Sequence, residues 1–217
     1  ANGVLHVDAI QAPGRIPCRI DDLGADLLSL SGHKIGGPQG VGALLRHGDI
    51  HLAEPLIRGG GQERSLRAGT ENVAAIAGFG AAAAVAAGQA DASRMAALRD
   101  RLEAGLKAAA PQTVIFGANA QRLPNTTFFA SPGLKAETAI IAFDLNGIAL
   151  ASGSACSSGK VQASTVLQAM GVAPELARGA VRVSLGWSST EADVERFIGT
   201  WNVLAGSLLK GQRGIAA

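Results

Sequence analysis

Ser29-Leu30-Ser31-Gly32-His33-Lys34-Ile35-Gly36-Gly37-Pro38-Gln39-Gly40-Val41-Gly42 sets one lysine between a short apolar run and a glycine-rich turn. The residues before it, Asp26 to Leu30, read as a strand, and Val41 to Leu45 as another. A lysine held at a strand end and partly desolvated would have a lowered pKa. It would then act as an amine nucleophile toward a carbonyl. Taken alone, a lysine in a glycine turn is a surface residue by default. The spacing is near that of a phosphate loop, but the Gly-Lys-Ser/Thr ending is missing, and that reading is discounted. The decision lies in the rest of the chain.

The 217 residues are 47% hydrophobic and 17% charged, enough for one large or two small domains. A net charge of +2 with scattered basic residues gives no reason to expect nucleic acid or an acidic membrane surface as partner. No apolar run has the length of a bilayer span, and no signal-peptide pattern opens the chain, so a cytoplasmic protein is expected. The two cysteines, Cys18 and Cys156, have no metal-ligand spacing, and the four histidines form no zinc motif. The strand Val4 to Asp8 comes too early to have a covering helix before it. Parallel strands need both faces covered, so the chain is expected to be the carboxyl-terminal part of something larger or to rely on a partner chain.

Residues 1–50 alternate short strands with Gly/Pro turns, and Asp8 ends the first strand. In open α/β sheets, ligands bind at the carboxyl ends of strands. Residues 56–70 form a loop with three consecutive glycines that runs into a helix. Thr70 is the expected N-cap, with Glu71 in the first turn and Val73, Ile76, Ala77, Gly80 and Ala84 on the packed face. A second helix from about Asp91 carries the stripe Met95, Leu98, Leu102 and Leu106, with Glu103 and Lys107 as an i,i+4 pair. From about residue 112, strands at 113–116, 125–129, 148–152 and 180–185 alternate with helices at 136–146 and 165–170. The last helix opens on Thr190 and Asp193, which have the spacing of a capping box. The fold class is α/β: a large domain over 1–90 with a mostly parallel, incomplete sheet, then a connecting helix and a small α+β domain over 91–217.

An acid at one strand end (Asp8), an amine at the next (Lys34), a glycine-rich loop entering a helix (Thr70) and a cysteine in a small-residue loop (Cys156) now stand together. A Schiff-base lysine, an acid for a pyridinium nitrogen and phosphate contacts are what pyridoxal 5'-phosphate needs. Val7-Asp8-Ala9-Ile10-Gln11, the Ser31 to Gly42 stretch, Gly59 to Asn72, Ser152-Gly153-Ser154-Ala155-Cys156 and Arg182-x-Ser184-Leu185-Gly186 resemble the cysteine desulfurases of the NifS/IscS type. These are fold-type I pyridoxal-phosphate enzymes of the class V aminotransferase group.

That resemblance implies a role for each matching position. Lys34 would hold the cofactor as a Schiff base. Asp8 would pair with the pyridinium nitrogen and raise its pKa. Gln11 would hydrogen-bond the phenolic oxygen, while Ser31 and His33 would hold the phosphate. Thr70 would reach the phosphate of the partner subunit's cofactor, which implies a homodimer. Arg182 would bind the carboxylate of the substrate, L-cysteine. Cys156 would attack the substrate sulfur, leaving alanine and an enzyme persulfide for a sulfur acceptor or iron–sulfur scaffold protein. The family pocket also uses a glycine/threonine phosphate loop, a ring-stacking histidine and an asparagine from an amino-terminal half that has no counterpart here. Cys18 has no matching role, and by default is an inert small core residue. Another class V enzyme, such as a selenocysteine lyase or an aminotransferase, and a non-catalytic dimerisation or docking fragment are the alternatives.

Overall fold

Residues 3–48, 50, 54–88, 91–153 and 164–209 are described by a computed structural model. The chain divides into two compact units, Ala1–Ala92 and Ser93–Ala217. In the first, β1 (His6–Asp8), β2 (Leu27–Ser31) and β3 (Gly42–Arg46) form a three-stranded sheet in that order. β1 runs parallel to β2 with Asp8 beside Ser29, and β3 returns antiparallel with Gly42 beside Ser31. The sequence predicts a mostly parallel sheet; the described sheet is mixed. The reason is the connection: a parallel crossover needs about a dozen residues or more, usually as a helix, and the Gly/Pro turn after Ser31 is too tight for one.

The turn after β2 is a 3₁₀ segment, Gly32–Lys34. Gly32 is required there by close approach. A Cβ on it would lie 2.9 Å from Val41 Cγ1 and 3.1 Å from the Pro38 carbonyl oxygen. Gly32 N–H donates to the Val41 carbonyl, and Ile35 and Gly37 N–H both donate to the Gly32 carbonyl, so the turn closes on itself.

Helix α1 (Val73–Gly88) packs on this turn. A Cβ on Gly78 would meet the Pro38 ring at 2.7 Å, and one on Gly37 would meet Ala82 Cβ at 3.3 Å. The face turned inward is therefore Ala75, Gly78, Phe79 and Ala82, whereas the predicted stripe began with Val73 and Ile76, which stand exposed. The helix carries no charged residue, so hydrophobic periodicity cannot select a face; the small side chains do so by permitting close approach. Its start is also corrected. Asn72, not Thr70, caps it, with Asn72 Oδ1 accepting from Ala75 N–H at 3.1 Å. Asparagine is the stronger capping residue, and Thr70 lies two residues outside, exposed.

The second unit holds an antiparallel sheet of β4 (Val114–Ile115), β5 (Thr126–Ala130), β6 (Ala151–Ser152) and β7 (Val181–Ser184), in the order β4-β5-β7-β6. Its helices are α2 (Ala92–Ala109), α3 (Ala136–Asp144), α4 (Thr165–Ala169), α5 (Pro174–Arg178) and α6 (Glu191–Leu208). The strand period of two sends Phe129, Val181 and Val183 to one face. There they join Leu98, Leu102 and Leu106 of α2, Phe143 of α3, and Phe197 and Trp201 of α6. Ala130, Leu167, Ala177 and Ala180 form a smaller cluster, with Phe128 against it. Trp201 is fully buried and donates its indole N–H to the Leu106 carbonyl at 3.2 Å, so its one polar atom is satisfied. Phe143 stacks on Phe197 at 5.0 Å, and Phe129 meets Trp201 edge-on at 5.7 Å.

Thr190 and Asp193 form the capping box at the start of α6. The two hydrogen bonds from Thr190 hold the Asp193 carboxyl below its ordinary pKa. The predicted Glu103–Lys107 pair is replaced by a longer-range one. Glu103 accepts from Arg122 at 2.7 and 2.8 Å and from Thr127 Oγ at 2.8 Å. A bidentate arginine and a hydroxyl satisfy a largely buried carboxylate better than a solvated lysine would. Helix α5, with Pro174 in its first turn, is an element that the periodicity did not reveal.

Candidate active site

Asp8 closes β1, and Ser31 closes the neighbouring parallel strand β2, so both sit at the carboxyl end of the parallel pair. The backbone continues the pairing one step beyond β1, with Ala9 N–H donating to the Ser29 carbonyl at 3.1 Å. Asp8 Oδ1 accepts from Ile10 N–H at 3.0 Å, an Asx turn that orients the carboxylate at the strand end. Gln11 follows in the same turn, exposed. Ser31 Oγ and His33 Nδ1 are 2.9 Å apart and hydrogen-bonded. Lys34 ends the 3₁₀ segment, half-buried. Five of the predicted residues, Asp8, Gln11, Ser31, His33 and Lys34, are thus gathered by one pair of adjacent strand ends and the turns that follow them.

Thr70 belongs to the first unit as well, just before the Asn72 cap. The loop before it is held by Gln62 Oε1, which accepts from Gly69 N–H at 3.2 Å. Glu63, Arg64 and Ser65 there adopt positive φ values of 50°, 57° and 64°. Each such residue costs on the order of 1–3 kcal/mol and persists only where the surroundings impose it.

Arg182 belongs to the second unit. It lies on β7 opposite Phe128 of β5 and Ala151 of β6, on the sheet face away from Val181 and Val183. Its Nε is buried and has no hydrogen-bond partner among the described residues. A buried guanidinium nitrogen left unsatisfied is costly, and an anionic ligand is the chemistry that would complete it. Cys156 lies outside the described residues. Cys18 is a half-buried free thiol whose pKa is raised by burial, the opposite of what activates a nucleophile.

Two further polar side chains, His6 and Arg15, make contacts in these strands and turns and carry no sequence signal. His6 Nε2 is 2.8 Å from Ser29 Oγ. Arg15 donates to the Gln11 carbonyl at 2.6 Å and to the Lys34 carbonyl at 3.3 Å. A histidine on a short strand and an arginine after a Pro-Gly turn are ordinary surface residues when read from sequence.

The family model for aminotransferase class-V matches residues 1–197. The chain belongs to the class-V aminotransferase family. A cysteine desulfurase of Gluconacetobacter diazotrophicus is 44% identical over 212 residues, covering 97% of this chain and 52% of that protein. An IscS-like cysteine desulfurase of Mycobacterium tuberculosis is 41% identical over 216 residues, 98% of this chain and 54% of that protein. The crystal structure of a NifS-like protein from Rickettsia africae superposes with a TM-score of 0.82 at 40% identity, covering 94% of this chain and 54% of that one. This class-V member therefore spans about half the length of the curated relatives it matches. Enzymes of the family generally depend on pyridoxal phosphate. Among the described residues of this member, no single helix is long and apolar enough to cross a membrane.

Proposed function

We propose that this chain supplies the lysine-bearing part of a cysteine desulfurase, an enzyme that takes sulfur from L-cysteine, releases L-alanine and hands the sulfur to an acceptor. The observation that carries the reading is the grouping of Asp8, the Ser31–His33 pair and Lys34 at adjacent parallel strand ends. That donor set fits pyridoxal phosphate: an amine for the aldehyde, a carboxylate for the ring nitrogen, and a hydroxyl with an imidazole for the phosphate. Identities of 41–45% to proteins named cysteine desulfurase support the choice of reaction.

In this reading Lys34 anchors the cofactor. Asp8, already oriented by Ile10 N–H, keeps the ring nitrogen protonated. Gln11 donates to the phenolic oxygen, and Thr70 serves the phosphate across a homodimer. Bound there, pyridoxal phosphate supplies an electron sink conjugated to the substrate's α-carbon. Arg182, whose buried Nε has no hydrogen-bond partner among the described residues, binds the substrate carboxylate. The Cys156 thiolate attacks the substrate sulfur: a sulfur–sulfur bond forms and the carbon–sulfur bond breaks. The carbon takes the electron pair and a proton to become the methyl group of alanine. Residues 1–90 act as the cofactor-bearing domain and 91–217 as the small α+β domain. A cytoplasmic setting and a sulfur-acceptor or iron–sulfur scaffold partner complete the proposal.

The test is product analysis. With pyridoxal phosphate and L-cysteine, the protein should release alanine and reducible sulfur one for one. Cys156→Ala should abolish both while leaving cofactor uptake intact. Undiminished sulfide from Cys156→Ala would remove that residue from the nucleophile role. Turnover of selenocysteine alone, or of an amino-acid/keto-acid pair, would move the protein elsewhere in the family.

A further inference from the structure

The two turns of the candidate site belong to different connections, one after β1 and one after β2, yet an acid and an amine must be presented together. Among the described residues, no backbone hydrogen bond crosses from residues 10–16 to residues 32–40. What joins them is Arg15. One guanidinium nitrogen donates to the Gln11 carbonyl at 2.6 Å and another to the Lys34 carbonyl at 3.3 Å. Arg15 is half-buried, and among the described residues no ion pair to a carboxylate involves it. A cation withdrawn from water without a carboxylate must be satisfied by dipoles, and here both dipoles come from the turns that carry Gln11 and Lys34. Gly14, the residue before Arg15, lies close against α1. It adopts φ +72°, and a Cβ on it would stand 3.3 Å from Ala86 Cβ of α1.

We propose that Arg15 is a positioning residue, tying the Asp8–Gln11 turn to the Lys34 turn so that acid and amine keep one fixed separation. The proposal rests on the reading of Lys34 and Asp8 as the cofactor pair. Arg15 touches only main-chain carbonyls of the site, so it acts through the turns and not on the reacting atoms. The planar fork of arginine is suited to this: two donors leave one rigid group toward two acceptors. A lysine ammonium carries its three donors on one atom at the end of a flexible stem, so it lacks the fixed fork that spans two separated acceptors.

Arg15→Met and Arg15→Lys, made in the purified protein, separate the possibilities. In cofactor-free protein, hydrogen exchange at the Ile35 and Gly37 amides should quicken about tenfold in Arg15→Met, the loss expected for one charge-assisted hydrogen bond. Exchange at Leu28 in β2 should stay unchanged. Titration with pyridoxal 5'-phosphate, followed by the visible absorption band, should show retention weakened by about the same factor. In Arg15→Lys the melting temperature should match the unaltered protein, while the pH midpoint of the visible band moves. Unchanged exchange at Ile35 and Gly37 in Arg15→Met, with an unchanged band, would overturn the role. If the unaltered protein takes up no cofactor, Lys34 and Asp8 are not a cofactor pair in this chain by itself, and the exchange experiment alone decides whether Arg15 ties the turns. Should Arg15→Met fail to fold, Arg15→Lys decides: exchange and band both equal to the unaltered protein would again overturn the proposal.

Discussion

The second unit closes an aromatic core over Trp201, Phe143, Phe129 and Phe197, with Leu102 and Leu106 fully covered beneath them. The first unit buries little beyond Leu28, Phe79 and several alanines, and leaves Leu56 98% and Val73 72% exposed. The second unit gathers its largest aromatic side chains into one interior, although it too leaves Leu145, Val203 and Trp187 exposed. The other presents a small sheet, an alanine-rich helix and a set of polar strand ends. The two units are therefore held differently: the second by a core of large aromatic and aliphatic side chains, the first by close backbone approaches that hold loops. Gly32 against Val41 and Gly78 against Pro38 do there what Trp201 does in the other unit.

The comparison breaks or sharpens at named residues. Trp201→Ala should cost about 3–5 kcal/mol by leaving a cavity in the aromatic core, read as a fall in the denaturant midpoint. Exchange at Leu28 should be unmoved; equal loosening of Leu28 would mean that the units are not separable. Glu103→Ala strands Arg122 and Thr127 together, and should cost about 2–4 kcal/mol in the same measurement. A cost near zero would show the network to be solvated. Asn72→Ala should remove the cap of α1 at about 1 kcal/mol, while Thr70→Ala leaves stability unchanged. Circular dichroism melts of the pair would expose the reverse order, which would restore Thr70 as the cap.

Much of this was legible in the residues, for unequal physical reasons. The core of α2 and α6 follows from period and cap: Met95, Leu98, Leu102 and Leu106 line one stripe, and the Thr190–Asp193 box opens α6. The buried face of α1 was not legible, because a helix apolar all round has no preferred side. The Glu103 partner was not legible either, since a local i,i+4 rule cannot anticipate Arg122 approaching from a later loop. At the site, Asp8 and Lys34 could be assigned to successive strand ends from patterning alone, but the parallel register that makes those ends neighbours comes from the sheet. Arg15 carried no signal, since its acceptors are main-chain carbonyls that any residue would provide.

The proposed function stands on Lys34 as the cofactor lysine. Incubation with pyridoxal 5'-phosphate, borohydride reduction and peptide mapping test it directly. The peptide containing Lys34 should carry a pyridoxyl label, lost in Lys34→Ala and weakened in Asp8→Ala. A label on another lysine, or labelling undiminished by Lys34→Ala, would contradict it.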